Sequence, residues 1–149
     1  MTERHAKAPP PFHLAIPVDD LAAADRFYAG VLGCPRGRSD ERWIDYDFYG
    51  HQLVVHLVDH GEAGDVRNHV DGEEVPVRHF GAVLPADDWE DVSARLVAAG
   101  NRGDLRVIIP PTLRHEGRPG EQRVIFVRDP AGNALEFKTL TNPGDLFAA

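Results

Sequence analysis

Apolar and polar positions along the chain repeat one pattern twice. The first run opens with Phe12-His13-Leu14-Ala15-Ile16-Pro17-Val18, which predicts a strand with Pro17 near its end, where a missing donor is tolerable. Asp19-Asp20 offers a helix cap, and Leu21, Ala24, Phe27, Tyr28 and Val31 recur at helical spacing until Gly30 or Gly33 closes the element. Residues 42–48 and 52–58 then read as a β-hairpin around Tyr49-Gly50-His51. The pattern restarts at Arg78-His79-Phe80-Gly81-Ala82-Val83-Leu84-Pro85, a strand, with Ala86-Asp87-Asp88 as the next cap. Trp89, Val92, Leu96 and Val97 form a helical stripe ending at Gly100. Leu105-Arg106-Val107-Ile108-Ile109 predicts a strand closed by Pro110-Pro111, and residues 114–120 a polar loop. Residues 122–128 and 134–139 predict a second hairpin around Asp129-Pro130-Ala131-Gly132-Asn133.

The order is strand, helix, strand, strand, strand, twice over, with His13 and His79 opening the two copies 66 residues apart. One copy cannot bury both faces of its own sheet, so the two should pair. The expected fold is α+β: modules 12–58 and 78–140 paired into one curved mixed sheet around a cavity, within a single domain 12–140. Residues 59–77 are polar, rich in Gly and acids and without periodicity, and read as a linker or lid. Residues 1–11 read as a flexible arm and 141–149 as a tail without clear structure.

Composition narrows the function. A 149-residue chain with 42% apolar and 27% charged residues suits one globular domain. Net charge −8 argues against nucleic acid, whose phosphates need a basic stripe. No apolar run is long enough for a membrane span, and the polar, Pro-rich start does not read as a signal peptide, so the expected compartment is the cytoplasm. The single cysteine, Cys34, excludes an internal disulfide and a cysteine-cluster zinc site; it reads as a buried small side chain. Eight histidines are the unusual feature.

Glu136 lies between Leu135 and Phe137, so strand alternation sends it to the face opposite both. Aligning the two hairpin turns sets Gly50 on Gly132, Val54 on Glu136 and His56 on Lys138. Repeat symmetry then puts His13, His79 and Glu136 in one cavity, with Val54 contributing nothing from the position matching Glu136. Two imidazoles and one carboxylate form a three-ligand set with open positions, which suits Fe(II) and leaves the ion charge to polarise a bound oxyanion. His56 shares Val54's face and reads as a fourth ligand, a proton-transfer group or an interior histidine; Gln52 is a second fourth-ligand candidate. His115, in the 114–118 loop, is a candidate proton shuttle or else a solvated loop residue. Trp43, Tyr46 and Tyr49 either line the cavity or pack in the core.

With these residues the sequence resembles the vicinal oxygen chelate superfamily, which includes glyoxalase I, extradiol dioxygenases, fosfomycin- and bleomycin-resistance proteins and methylmalonyl-CoA epimerase. The resemblance rests on the paired modules, on His13, His79 and Glu136, and on Asp129-Pro-x-Gly-Asn-x-Leu-Glu136, and it covers residues 12–140. Trp43-Ile-Asp-Tyr-Asp-Phe-Tyr-Gly-His51-Gln52-Leu-Val-Val-His56-Leu, Pro76-Val-Arg-His79-Phe-Gly and Arg118-Pro-Gly-Glu-Gln further resemble a bacterial group described as predicted extradiol-type dioxygenases. The resemblance implies a metal-dependent enzyme that chelates a small molecule through two adjacent oxygens, as an Fe(II) ring-cleaving dioxygenase. The alternatives are a lyase or isomerase using Zn(II), Ni(II), Co(II) or Mn(II), and a non-catalytic antibiotic-binding protein. It also implies a homodimer. Where glyoxalase I carries a fourth ligand, Val54 stands here, which favours the more open site.

Overall fold

The computed structural model describes residues 8–59, 66–70 and 73–147. Most of the predicted arm, and residues 60–65 and 71–72 of the predicted linker, lie outside them. The first module is β1 (His13–Val18), α1 (Leu21–Asp25) running into a π-helical turn (Arg26–Val31), β2 (Arg36–Asp40), β3 (Trp43–Phe48) and β4 (His51–Leu57). Its strands lie in the order β1-β4-β3-β2. After a two-stranded hairpin, β5 (Val66–Val70) and β6 (Glu73–Val77), the second module repeats the plan. It has β7 (His79–Val83), α2 (Ala86–Asn101), β8 (Arg106–Arg114), β9 (Gln122–Arg128) and β10 (Ala134–Leu140), in the order β7-β10-β9-β8. In each sheet the first strand pairs parallel to the last, and the rest is antiparallel. The α+β repeat is as expected, but among the described residues it forms two four-stranded sheets with no ladder joining them rather than one.

The helices form for local reasons. Asp20 caps α1 by accepting from the Ala23 N–H at 3.0 Å. Past Asp25 the backbone loosens, with Leu32 N–H reaching Phe27 O at 2.9 Å. This wider turn lets the adjacent residues Phe27 and Tyr28 both enter the core. Asp87 and Asp88 sit in the first turn of α2, where the helix dipole favours negative charge.

The modules share one core. Ile16, Val18, Leu53 and Val55 of the first sheet and Leu135 and Phe137 of the second belong to a single buried cluster with Phe27, Tyr28, Trp89 and Leu96. Phe48 stacks at 5.6 Å on Phe80 and 6.1 Å on Phe137. The Asp129-Pro-Ala-Gly-Asn turn ties the modules further. Buried Asp129 accepts from Tyr28 Oη at 2.8 Å and from Asn133 Nδ2 at 2.9 Å, and Asn133 Nδ2 also donates to Pro17 O at 2.8 Å. Arg95 of α2 donates to Val31 O. Burial pushes the Tyr28 hydroxyl well above its ordinary value, and the neighbouring Asp129 adds to the effect.

Several elements differ from the sequence expectation, each for a visible reason. β2 is wholly exposed and reads Arg-Gly-Arg-Ser-Asp, so it carries no apolar alternation. β8 runs through Pro110-Pro111 into the expected loop because it is an edge strand, where prolines cost no ladder bond, and its register shifts between Val107 and Thr112. Within the expected linker, Val66–Val70 and Glu73–Val77 pair as antiparallel strands, and Val75 packs with Ile109 and Phe126 in a small second core. The tail carries a 3₁₀ turn, Pro143–Phe147.

Candidate metal centre

Register fixes which faces carry the candidate ligands. His13 pairs with Gln52 and Ala15 with Val54; two strands into the second sheet, His79 pairs with Ala134 and Gly81 with Glu136. Val54 and Glu136 therefore occupy equivalent places, each diagonal to its module's histidine. The alternation that sends Phe80 and Phe137 into the shared core sends His79, Gly81 and Glu136 to the opposite face. On the first sheet the same alternation puts His13, Gln52 and Val54 opposite Leu53 and Val55. The modules thus meet through their apolar faces, and the donor-bearing faces turn away from that contact.

His79 and Glu136 are brought together, with Nε2 and Oε2 3.7 Å apart. His79 Nδ1 lies 2.6 Å from Pro76 O. A carbonyl only accepts, so Nδ1 carries a proton, and Nε2 is the ring nitrogen that faces Glu136. The ring stands edge-on to Phe126 with centroids 4.7 Å apart. The other Glu136 oxygen, Oε1, meets Lys138 Nζ at 3.2 Å. Lys138 thus engages one carboxylate oxygen, and the other is the one nearest His79. A cavity of about 240 Å³ borders these groups, lined by His79, Gly81, Val83, Glu136 and Lys138 among others.

His13 stands apart from this pair. Its Nδ1 lies 2.8 Å from Gln52 Oε1, and Gln52 Nε2 donates to buried Asp45 at 3.3 Å. Among the described residues, no three His, Cys, Asp or Glu side chains converge within one chain. The expected joining of His13, His79 and Glu136 in a cavity of a single chain is therefore not what the structure presents. The donor chemistry nevertheless suits a divalent ion: two imidazoles, each with Nδ1 held by a neighbouring oxygen, and a carboxylate with one oxygen on Lys138 and the other beside His79.

The remaining candidates lie further off. His56 is exposed and four residues along β4 from Gln52, about 13 Å from the level of His13 at strand rise. His115 lies in the turn beyond the Arg114–Gln122 pair, and Gln122 is four residues from Phe126, Glu136's partner. That puts the turn about 13 Å from Glu136 along the strands. Tyr46 and Tyr49 belong to the core; Tyr46 donates to Asp25 at 2.7 Å. Cys34 is buried as expected, and desolvation pushes its thiol up to about 12. Lys138, Asp45 and the Pro76 carbonyl were not marked by the sequence reading. Period-2 alternation in Trp43–Phe48 could have flagged Asp45, which it places on the Val54 face.

The model of the Glyoxalase/Bleomycin resistance protein/Dioxygenase superfamily matches residues 11–137, and the chain belongs to that superfamily. Among solved structures it is similar to a glyoxalase/bleomycin resistance protein/dioxygenase from Alicyclobacillus acidocaldarius. The identity is 32%, covering 95% of this chain and 99% of the other, with a TM-score of 0.73. The fold also matches the fosfomycin resistance protein FosX of Mesorhizobium loti, at 19% identity, 94% and 99% coverage and TM-score 0.64. It matches FosX of Listeria monocytogenes complexed with Mn(II) and sulfate, at 16% identity, 94% and 97% coverage and TM-score 0.66. No curated protein matches the chain.

Proposed function

We propose that the chain is a divalent-metal enzyme that binds a small molecule through two adjacent oxygens, with His13, His79 and Glu136 as ligands, and that it works as an Fe(II) ring-cleaving dioxygenase. The observation that carries the reading is the matched place of the two histidines: each opens the first strand of its module and has Nδ1 held by a neighbouring oxygen, at 2.8 Å for His13 and 2.6 Å for His79. Two neutral imidazoles and one carboxylate leave open positions, and Val54 at the fourth place adds no ligand. A bound ion would supply positive charge to the chelating oxygens, and iron(II) would relay electrons from the substrate to dioxygen. The chain's own groups do the rest. Pro76 O and Gln52 hold the imidazoles in their ligating tautomer, and Lys138 holds Glu136 to one free oxygen. Lys138 also lines the cavity beside His79 and Glu136. Val75 of β6 packs on Phe126, the residue paired with Glu136.

The site is completed between two copies. The donor faces turn away from the contact joining the modules, so His13 of one copy meets His79 and Glu136 of a second copy in a homodimer. A redox-inert lyase or isomerase would use the same ligands, and the manganese-bound relative of the same fold favours keeping it as the second reading. Anaerobic metal analysis followed by oxygen uptake on a catechol panel separates the two. Dioxygenase chemistry requires bound iron and catechol-dependent uptake. Zinc, nickel or manganese without uptake supports the lyase or isomerase.

A further inference from the structure

Asp45 is a carboxylate in the middle of β3, 8% exposed, on the face of Val54 and Gln52. Burying it there is expensive unless it does something for a neighbour. Gly37 of β2 lies over it: a Cβ at Gly37 would stand 3.2 Å from Asp45 Cβ, so the missing side chain lets the edge strand close on the carboxylate. Its polar neighbours are Gln52 Nε2 at 3.3 Å and the largely exposed Arg38 at 3.9 Å.

We propose that Asp45 and Gln52 are positioning residues that set the tautomer of His13. An ionised carboxylate only accepts, so it takes the Gln52 amide's NH₂ end and turns Oε1 toward His13. That oxygen also only accepts, so the His13 proton sits on Nδ1 and Nε2 is left with its lone pair. With the amide reversed, NH₂ would face Nδ1, the proton would move to Nε2, and His13 could not ligate through that atom. The second module reaches the same state differently. Position 134 there is Ala and position 126, facing Glu136, is Phe; the Pro76 carbonyl fixes His79 directly. Gln52 thus acts behind His13 rather than as a ligand. The proposal rests on the metal reading for its purpose, but not for its geometry.

The test is ¹⁵N NMR of the metal-free protein labelled at histidine, at a pH where imidazole is neutral, together with zinc titration. In the wild type His13 should be the Nδ1–H tautomer. Gln52→Leu and Asp45→Leu should move it toward Nε2–H while His79 stays unchanged as internal control. Asp45→Asn, whose amide can accept from Gln52 or donate to it, should give a mixture of the two tautomers. Zinc affinity should fall about 10- to 100-fold in the two leucine variants and by less in Asp45→Asn. A His13 tautomer unaltered by Gln52→Leu, or Nε2–H in the wild type, overturns the proposal. If the tautomer shifts as expected while His13→Ala leaves zinc affinity untouched, the relay stands and the metal assignment of His13 falls.

Discussion

Gly81→Ala is the substitution whose effect follows most directly from the geometry. Gly81 faces Glu136 across the parallel β7–β10 ladder, and a Cβ at Gly81 would lie 1.5 Å from the Glu136 carbonyl oxygen and 2.6 Å from its carbonyl carbon. Real Cβ contacts do not fall below 3.0 Å, so the strands would have to part by about 1.5 Å. The blocking atom is backbone and cannot rotate away. Adding that gap to a normal ladder bond of about 2.9 Å carries it past hydrogen-bonding range. Losing about two bonds at roughly 1 kcal/mol each, with their buried groups left unpaired, comes to about 3 kcal/mol or more. The assay is urea unfolding of the metal-free protein followed by tryptophan fluorescence. Trp89 is a suitable reporter because its indole N–H donates to Phe137 O, one residue beyond Glu136. The same displacement separates His79 from Glu136, so zinc affinity should fall as well. A variant within about 1 kcal/mol of wild type with unchanged zinc affinity would refute the reasoning.

Asn133→Ala removes the donor shared by Asp129 and Pro17 O and leaves both short of a partner; a loss of about 2 kcal/mol in thermal or urea unfolding is expected. Tyr49→Phe should be neutral or stabilising by up to about 1 kcal/mol, because the buried hydroxyl has no hydrogen-bond partner among the described residues; clear destabilisation would mean that it has one. Cys34 should resist alkylation at pH 8 in the folded protein and react on unfolding, since burial holds the thiol up to about 12. Stability should fall as pH rises above about 9. There the unfolded chain ionises Cys34, and then Tyr28, Tyr46 and Tyr49, while burial keeps all four protonated in the fold. A flat pH–stability profile from 8 to 11 would contradict those environments.

The elements legible in the sequence are those with an apolar face against the core. β1, β3, β4, β7, β9, β10 and both helices carry the alternation or spacing that burial imposes. β2 was illegible because it is exposed along its whole length, and β8 was cut short at prolines that only an edge strand tolerates. Hairpin alignment set Val54 on Glu136, and the observed pairings Ala15–Val54 and Gly81–Glu136 give the same equivalence. What the repeat could not convey is how the modules approach each other. Pairing of the two donor faces within a chain and packing of the two apolar faces use the same sequence pattern. Contacts such as Phe48–Phe137 and Asn133–Pro17 decide between them, and they depend on side chains far apart in sequence. Asp45 escaped notice because a carboxylate in a strand ordinarily marks a solvated face.

In the proposed metal site, His13 of one copy meets His79 and Glu136 of another. The direct test mixes His13→Ala protein with Glu136→Ala protein under conditions that exchange subunits, and measures bound metal per dimer. Neither variant alone should hold stoichiometric metal. In a mixed dimer, one site combines both lesions and the other has all three native ligands, so metal binding should return to one ion per mixed dimer. A mixture that stays metal-free after verified exchange, or a His13→Ala protein that binds metal as the wild type does, would contradict the account.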